Sequence, residues 1–151
     1  ADRETAEWVM RRLGIWELRD RGTGKISGGE RQLALIARAI AQQARLLVMD
    51  EPTANLDYGN QYLVLERIRE LVRAGFTILM STHNPDHALR YATDVLALRR
   101  DGSYIAGAAD GVLTERLLEE LYGIPMTVAE PMTPEGMVRC CVPRTMGGDL
   151  S

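Results

Sequence analysis

The chain has 151 residues, enough for one ordinary domain with a hydrophobic core. Hydrophobic residues make up 46% and charged residues 26%, a composition that is typical of a globular protein and excludes a disordered one. The formal net charge of -3 argues against a nucleic-acid partner, and no apolar run reaches the ~18 residues of a membrane span.

The first predicted elements are two helices separated by a loop. Residues 3–13 are helix formers with apolar side chains spaced for one face, and residues 14–26 have the composition of a loop. Over residues 28–43, apolar side chains recur at the i, i+3, i+4, i+7 spacing of an amphipathic helix. Ser27 and Glu30 form the S-x-x-E pattern of a capping box, which satisfies amides at the start of that helix.

Strands and helices then alternate, an order that is typical of a parallel sheet with covering helices. The apolar runs at 46–49 and 76–81 predict two buried strands. The helix between them covers about 58–74, with Asp57 as its N-cap and Gly75 just past its end.

The remaining elements are short. The Asn-Pro pair at 84–85 supplies a cap and a first-turn proline for another helix. The Asp-Gly pair at 101–102 predicts the turn of a hairpin between two apolar segments. A helix near 115–122 and a weak hairpin over 126–142 complete the prediction. The cysteines at 140–141 are adjacent, lack metal-ligand spacing and fit a reducing compartment such as the cytosol.

The stretch GTGKISGGERQ, residues 22–32, resembles a phosphate-binding loop in both of its halves. A nucleotide phosphate loop needs G-x-x-x-x-G-K-[ST], in which amides surround the phosphates and the lysine reaches the β/γ oxygens. The only lysine is Lys25, but Ile26 takes the hydroxyl position and Arg19 the first glycine position. We therefore predict that residues 22–25 are a flexible turn and that the sequence holds no phosphate loop.

The second half of that stretch predicts an anion site. Gly28 and Gly29 directly follow the cap residue Ser27, although each glycine weakens a helix by ~1 kcal/mol. A cap alone does not call for glycines, whereas glycines expose the amides at the positive end of the helix dipole. We predict that the start of this helix binds a phosphate group as well as being capped.

Acidic and imidazole side chains follow the two predicted strands. Asp50 and Glu51 come directly after the first strand, and His83 follows the second. Successive side chains of a strand point to opposite faces, so one carboxylate could hold magnesium through water while the other orients an attacking water as a base. Each residue alone fits an ordinary surface position, but parallel strands bring their carboxyl ends to one edge, where ligands gather.

Three segments together, ISGGERQLALIARAIAQ, LLVMDEPTANLD and STHNPDHA, resemble the ATP-binding subunit of ABC transporters. The chain is most similar to importers of iron complexes and cobalamin, on features such as LYGIPMTV near its end. The resemblance covers about 3–142 and implies an α/β fold, the parallel-sheet core of an ABC-type P-loop ATPase with flanking helices. It implies one partial domain over 1–151, the C-terminal part of such an ATPase. Residues 1–43 would be the end of the helical signature subdomain. Residues 44–109 would form the catalytic core, and residues 110–151 would form a C-terminal helix and tail.

The resemblance also implies residues that contact ATP. Ser27, Gly28 and Gly29 match the signature motif, with Glu30 where many members have glutamine. The segment ANLD, which ends at Asp57, matches the loop that crosses the dimer interface. In the family, two subunits hold two ATP molecules head to tail, each between one subunit's phosphate loop and the other subunit's signature motif.

The catalytic and metal-binding residues follow from the same resemblance. Asp50 matches the Walker B aspartate that positions Mg²⁺, Glu51 the catalytic base, and His83 the switch histidine that contacts the γ-phosphate. The implied cofactors are ATP and Mg²⁺. The implied partners are a second ATP-binding subunit and transmembrane permease subunits, so the location would be cytoplasmic, on the inner face of the cell membrane. The family's N-terminal part, with the Walker A phosphate loop, finds no match in this sequence.

Two other functions are compatible with the sequence. An ABC-type DNA-repair or chromosome-organising ATPase shares the SGGE and DEPTANLD motifs, and Glu30 favours it slightly. Such a protein should show long heptads before the signature motif and a basic excess, neither of which this sequence has. A non-catalytic remnant of an ABC ATPase that only binds partners is the second alternative.

Overall fold

A computed structural model describes residues 2–134 and 136–145 of the chain. Contacts between residues divide the chain into a first unit, residues 1–82, and a second unit, residues 83–151. In the part of the chain that the structure describes, no helix has the length and apolar character that crossing a bilayer requires.

Three helices form most of the first unit. They are α1 (Asp2–Arg12), α2 (Gly28–Ala41) and α3 (Tyr58–Arg73), so all three helices predicted in this region are confirmed. The predicted loop between α1 and α2 contains two short 3₁₀ turns, Trp16–Leu18 and Thr23–Lys25.

The two strands of the first unit are β1 (Leu46–Met49) and β2 (Thr77–Met80). They pair in parallel, with Leu46 opposite Thr77 and Met49 opposite Met80. The connection between them contains α3, as expected for a crossover between parallel strands. The predicted parallel pairing of these strands is confirmed.

The core of the first unit lies between the helices and one face of the sheet. Each helix contributes side chains at helical spacing, and β1 contributes Leu47, which is 4% exposed. The buried members are Val9, Leu13, Ile15, Leu33, Ile36, Ala37, Ile40, Leu47, Val64, Ile68 and Leu71.

The other face of the β1–β2 sheet carries exposed apolar side chains. Leu46, Val48 and Leu79 are 56%, 69% and 61% exposed. A strand that is apolar on both faces needs a layer of structure on each side, and the helices of the first unit supply one layer only. The prediction that β1 and β2 are buried strands is therefore wrong for this face.

The second unit begins with α4 (Pro85–Tyr91), which Asn84 caps as predicted. The strands β3 (Asp94–Leu98) and β4 (Tyr104–Ala108) form the predicted antiparallel hairpin. Among the described residues, the parallel sheet has two strands, β1 and β2, and β3 and β4 form a two-stranded sheet of their own.

The rest of the second unit contains the short helix α5 (Ala109–Val112), which the sequence did not predict, and α6 (Glu115–Tyr122), which it did. The strand β5 (Met126–Ala129) pairs antiparallel with β8 (Cys140–Pro143), which confirms the predicted hairpin. A two-residue ladder, β6 (Met132–Thr133) with β7 (Gly136–Met137), lies inside it. The buried members of the core of the second unit are Leu89, Ala109, Leu113, Leu118 and Met126.

The two cysteines are partly buried and form no disulfide. Burial, followed by the nearby Asp86 carboxylate, raises the pKa of the Cys141 thiol to about 11. The reactive form of cysteine is the thiolate, so Cys141 is a poor nucleophile near neutral pH.

Candidate functional site

The start of α2 has both hydrogen bonds of the predicted capping box. The Ser27 hydroxyl oxygen accepts from the Glu30 amide at 3.1 Å, and the Ser27 amide donates to the Glu30 carboxylate at 2.7 Å. The capping prediction is therefore confirmed, and one carboxylate oxygen of Glu30 is used within the chain. Because Ser27 acts as an acceptor towards the helix, its hydroxyl proton remains available to an external anion.

The first turn of α2 also leaves amide donors for a ligand. The Arg31 amide donates to the Ser27 carbonyl oxygen at 2.9 Å, and the Glu30 amide is used by the Ser27 hydroxyl. The amides of Gly28 and Gly29 precede the first intrahelical hydrogen bonds, as in every α-helix. Ser27 and Gly28 are exposed and Gly29 is buried, so the accessible donors are the Ser27 hydroxyl and the Gly28 amide.

The two glycines have a packing role that the sequence did not predict. A Cβ atom at Gly28 would lie 2.8 Å from Cδ2 of Leu56. A Cβ atom at Gly29 would lie 2.4 Å from Oδ1 and 3.0 Å from Cβ of Asn60. The start of α2 therefore lies directly against the start of α3, and glycine permits this approach whether or not a ligand binds.

Replacing Gly29 with alanine should destabilise the fold. Overpacking typically costs about 1–3 kcal/mol, while alanine regains at most ~1 kcal/mol of helix propensity. Asn60 cannot move away freely because it is hydrogen-bonded to Asp57, so we expect a lower midpoint of urea unfolding. Gly24→Ala is the matched control, since a Cβ atom there meets nothing within 4 Å. Equal midpoints for the two variants would show that Asn60 moves without cost.

Asp57 caps α3, as predicted. Its Oδ1 accepts from the Asn60 amide at 2.9 Å, and its Oδ2 accepts from the Asn60 side-chain amide at 2.6 Å. The hydrogen bond from the Asn60 backbone amide is the main cause that lowers the pKa of the Asp57 carboxyl. Gln61 holds the same segment by donating to the Leu56 carbonyl oxygen at 2.9 Å. A contact of Asp57 with ATP stays a prediction.

Ser81 joins the two acidic residues that follow β1. Its hydroxyl donates to Oδ1 of Asp50 at 2.5 Å and accepts from the Glu51 amide at 2.9 Å. The parallel register sets Met49 opposite Met80, so Ser81 lies beside Asp50 at the same edge of the sheet. Ser81 was not predicted from the sequence as a site residue, although a hydroxyl residue directly after the second strand is a usable signal.

The backbone at Glu51 has an unusual conformation. Its φ is +41°, in the left-handed region that residues other than glycine rarely adopt, and Asn55 in the same loop has a φ of +61°. Such a conformation costs on the order of 1–3 kcal/mol and is concentrated at functional sites. Because β1 ends at Met49, the alternation of an extended strand does not set the directions of the Asp50 and Glu51 side chains.

The acidic residues fit a magnesium ion that is shared with a nucleotide. Mg²⁺ in such sites takes one or two carboxylates, with phosphate oxygens and water as its other ligands. Asp50 is exposed, and Ser81 engages its Oδ1. Over residues 2–134 and 136–145, no group of three or more His, Cys, Asp or Glu side chains could hold a metal ion. A magnesium ion at Asp50 would therefore need phosphate oxygens and water as further ligands. The binding of Mg²⁺ by Asp50 stays a prediction.

His83 lies in the second unit, two residues before α4 begins. Its side chain is exposed, and its backbone carbonyl oxygen accepts the Tyr122 hydroxyl at 2.8 Å. The next residue, Asn84, caps α4 by accepting from the Asp86 amide at 2.9 Å. The expected position of His83 beside the Asp50–Glu51 pair stays a prediction.

The GTGK segment forms a turn, as predicted. The Lys25 amide donates to the Gly22 carbonyl oxygen at 2.9 Å, and Lys25 is exposed. This short 3₁₀ turn does not have the strand-to-helix context in which a nucleotide phosphate loop works.

Sequence comparison identifies the family to which these features belong. The sequence profile of the ABC transporter family matches residues 1–54. An uncharacterized ABC transporter ATP-binding protein of Haemophilus influenzae is 42% identical over 122 residues, which are 81% of this chain and 46% of the relative. The ferric enterobactin transport ATP-binding protein FepC of Escherichia coli is 35% identical over 139 residues, which are 91% of this chain and 51% of FepC.

Comparison with solved structures identifies the same family. A metal-chelate type ABC transporter in an inward-facing conformation matches with a TM-score of 0.87 and 32% identity, over 94% of this chain and 57% of that chain. The fold is that of the ABC-type P-loop ATPases. The chain belongs to the family of ABC transporter ATP-binding proteins, and it spans about half the length of the curated relatives that it matches.

Proposed function

We propose that the chain forms the signature-containing half of an ATP-hydrolysing subunit of an ABC transporter. The observation that carries the proposal is the Ser81 link between Asp50 and Glu51 at the end of the parallel strands. It holds the Asp50 carboxylate and the Glu51 backbone at the carboxyl edge of a parallel sheet, where α/β proteins bind their ligands. The capped start of α2, with an exposed hydroxyl and amide, adds an anion site of the kind that phosphates use.

The residues divide the work of ATP hydrolysis. Glu51 accepts a proton from the attacking water, whose oxygen bonds to the γ-phosphorus as the bond to the ADP oxygen breaks. Asp50 would hold the magnesium ion, which would neutralise phosphate charge. His83 donates a hydrogen bond to a γ-phosphate oxygen. Ser27 and Gly28 donate to the γ-phosphate of an ATP that a second subunit holds on its phosphate loop.

The proposed partners follow from this division. A signature motif that contacts another subunit's ATP requires a head-to-tail pair of ATP-binding subunits, and a transporter requires permease subunits in the membrane. We propose a peripheral location on the cytoplasmic face. Residues 1–43 would belong to the signature subdomain, 44–109 to the catalytic core and 110–151 to a C-terminal part.

The proposed cargo is a metal chelate such as an iron complex. The support is the similarity to FepC, named for ferric enterobactin transport, and to a transporter of the metal-chelate type. Cargo is selected by permease and binding-protein partners, so this part of the proposal rests on relatives and not on the residues of the site.

The exposed apolar face of the β1–β2 sheet supports the view that a further segment completes the domain. Leu46, Val48 and Leu79 would be covered by another layer of structure, and the curated relatives are about twice as long as this chain. We propose that the segment supplying this layer also supplies the Walker A phosphate loop.

Binding of ATP by the 151-residue chain alone should be too weak to detect at micromolar concentrations. The phosphate loop and its lysine make most of the contacts to the β/γ phosphates, so its absence removes the main source of affinity. Isothermal calorimetry with Mg-ATP measures this directly. One-to-one micromolar binding by the purified chain would contradict the proposal.

The positive control is the full-length subunit, which should bind Mg-ATP and lose that binding when its phosphate-loop lysine is replaced by alanine. Reconstituted with its permease, the same subunit should accumulate a ferric chelate in vesicles only while it hydrolyses ATP. Hydrolysis without accumulation of any metal chelate would leave the ATPase intact and reject the proposed cargo.

A further inference from the structure

The Tyr122 side chain connects the end of α6 to the backbone of His83. Its hydroxyl donates to the His83 carbonyl oxygen at 2.8 Å, and its ring packs against the core of the second unit. Burial raises the pKa of the Tyr122 hydroxyl above its ordinary value, so the group keeps its proton at neutral and mildly alkaline pH. Tyr122 can therefore donate to this carbonyl over that pH range.

The helix that carries Tyr122 is held firmly in the second unit. Leu117 and Leu118 are 5% and 1% exposed. Glu119 accepts from the Met126 amide at 3.1 Å, and Glu115 accepts from the Val128 amide at 2.8 Å, so α6 is tied to β5 at two points. Movement of Tyr122 away from His83 would disturb this packing.

The segment after His83 is held as well. Asn84 caps α4 through the Asp86 amide, and the Asp86 carboxylate accepts from the Cys141 amide at 2.7 Å. The His83 side chain is exposed, so core packing does not fix its ring. The His83 backbone sets where the imidazole can reach, and this backbone is held by Tyr122 from one side and by the capped start of α4 from the other.

We propose that Tyr122 is a positioning residue for His83. Its hydroxyl holds the His83 backbone so that the imidazole can reach the γ-phosphate, and Tyr122 itself does not contact the nucleotide. The inference rests on the proposed function, because it assigns Tyr122 a part in placing the switch histidine.

Tyr122→Phe in the full-length subunit is the test, because phenylalanine keeps the ring and removes only the hydroxyl. We expect kcat for ATP hydrolysis to fall about 5- to 20-fold while KM for ATP changes less than about twofold, since a misplaced catalytic group can cost up to about 10²-fold. Tyr104→Phe is the matched control, since Tyr104 is 65% exposed on β4. A kcat of Tyr122→Phe equal to that of Tyr104→Phe would overturn the proposal.

A double-mutant comparison shows whether Tyr122 acts through His83. The variant with both Tyr122→Phe and His83→Ala should have the same kcat as His83→Ala alone. A further loss of the same size in the double variant would mean that Tyr122 acts independently, which overturns the inference and leaves the proposed function standing. Full activity of His83→Ala would instead reject the role of His83 and, with it, the proposal.

A spectroscopic measurement separates positioning from loss of stability. In a carbon-13 NMR spectrum of the full-length subunit, the His83 ring signal is the one that disappears in His83→Ala. The His83 signal should shift in Tyr122→Phe and stay unchanged in Tyr104→Phe, even if the unfolding midpoint of Tyr122→Phe is lower. An unchanged His83 signal in Tyr122→Phe would overturn the proposal.

Discussion

Replacing Glu51 with glutamine in the full-length subunit should lower ATP turnover by about 10²–10⁴-fold while ATP still binds, since this is the range that a general base contributes. Glutamine has nearly the same size and cannot accept the proton of the attacking water. The Glu51 amide would still donate to Ser81, so the loop should keep its conformation. Phosphate release measures turnover, and calorimetry measures binding.

In the proposed head-to-tail dimer, hydrolysis allows the two subunits to separate, so the same variant should also trap an ATP-bound dimer. Size-exclusion chromatography with Mg-ATP would show a dimer for Glu51→Gln and not for the parent. Glu17→Gln is the matched control, since the Glu17 side chain is 86% exposed and lies outside the site. Turnover at the parental rate would assign the base to another residue, with His83 the first candidate.

Local patterns were sufficient to predict most of the elements. The helix α2 combines a capping box with apolar residues at helical spacing, and the structure confirms both. The cap of α3 by Asp57 and the Asp-Gly hairpin were equally predictable. These features depend on residues within a few positions of one another, so the sequence contains all the information that they need.

The features that the sequence analysis missed depend on contacts between distant segments. Ser81 reaches Asp50 across 31 positions, and Asn60 meets Gly29 only because two helix starts approach each other. The positive φ of Glu51 is also hidden, because glutamate is an ordinary residue at a strand end. The burial of β1 was overestimated for a related reason. An apolar run indicates that both faces of a strand are suited to burial, but it does not show whether a layer of structure covers each face.

A full-length subunit with Gly28→Asp should bind ATP as a monomer and fail to form the closed dimer or hydrolyse ATP. The carboxylate would meet the γ-phosphate at the exposed start of α2, where it adds like-charge repulsion. Stability should change little, because an acidic residue is favourable in the first turn of a helix. The neighbouring atom is a terminal methyl group of Leu56, at 2.8 Å from the new Cβ, and a flexible side chain can shift.

Gly28→Ala separates crowding from charge, since it adds the same Cβ atom and no carboxylate. If repulsion is the cause, Gly28→Ala should retain most of the dimer formation and turnover that Gly28→Asp loses. Equal losses in the two variants would instead assign the effect to the contact with Leu56. Packing alone would then explain the glycines at the start of α2, without a bound phosphate.

Mixing two defective subunits tests whether Ser27 and Gly28 act on the ATP of another chain. One subunit carries Gly28→Asp, and the other is disabled only in its phosphate loop. In the mixed dimer, one composite site combines an intact phosphate loop with an intact signature motif, and the other site has neither. Partial ATPase activity should return, although each subunit alone is inactive. If Gly28→Asp abolished nucleotide binding by the monomer, Gly28 would act within its own chain, because a residue that contacts only the partner's ATP cannot affect binding in the partner's absence.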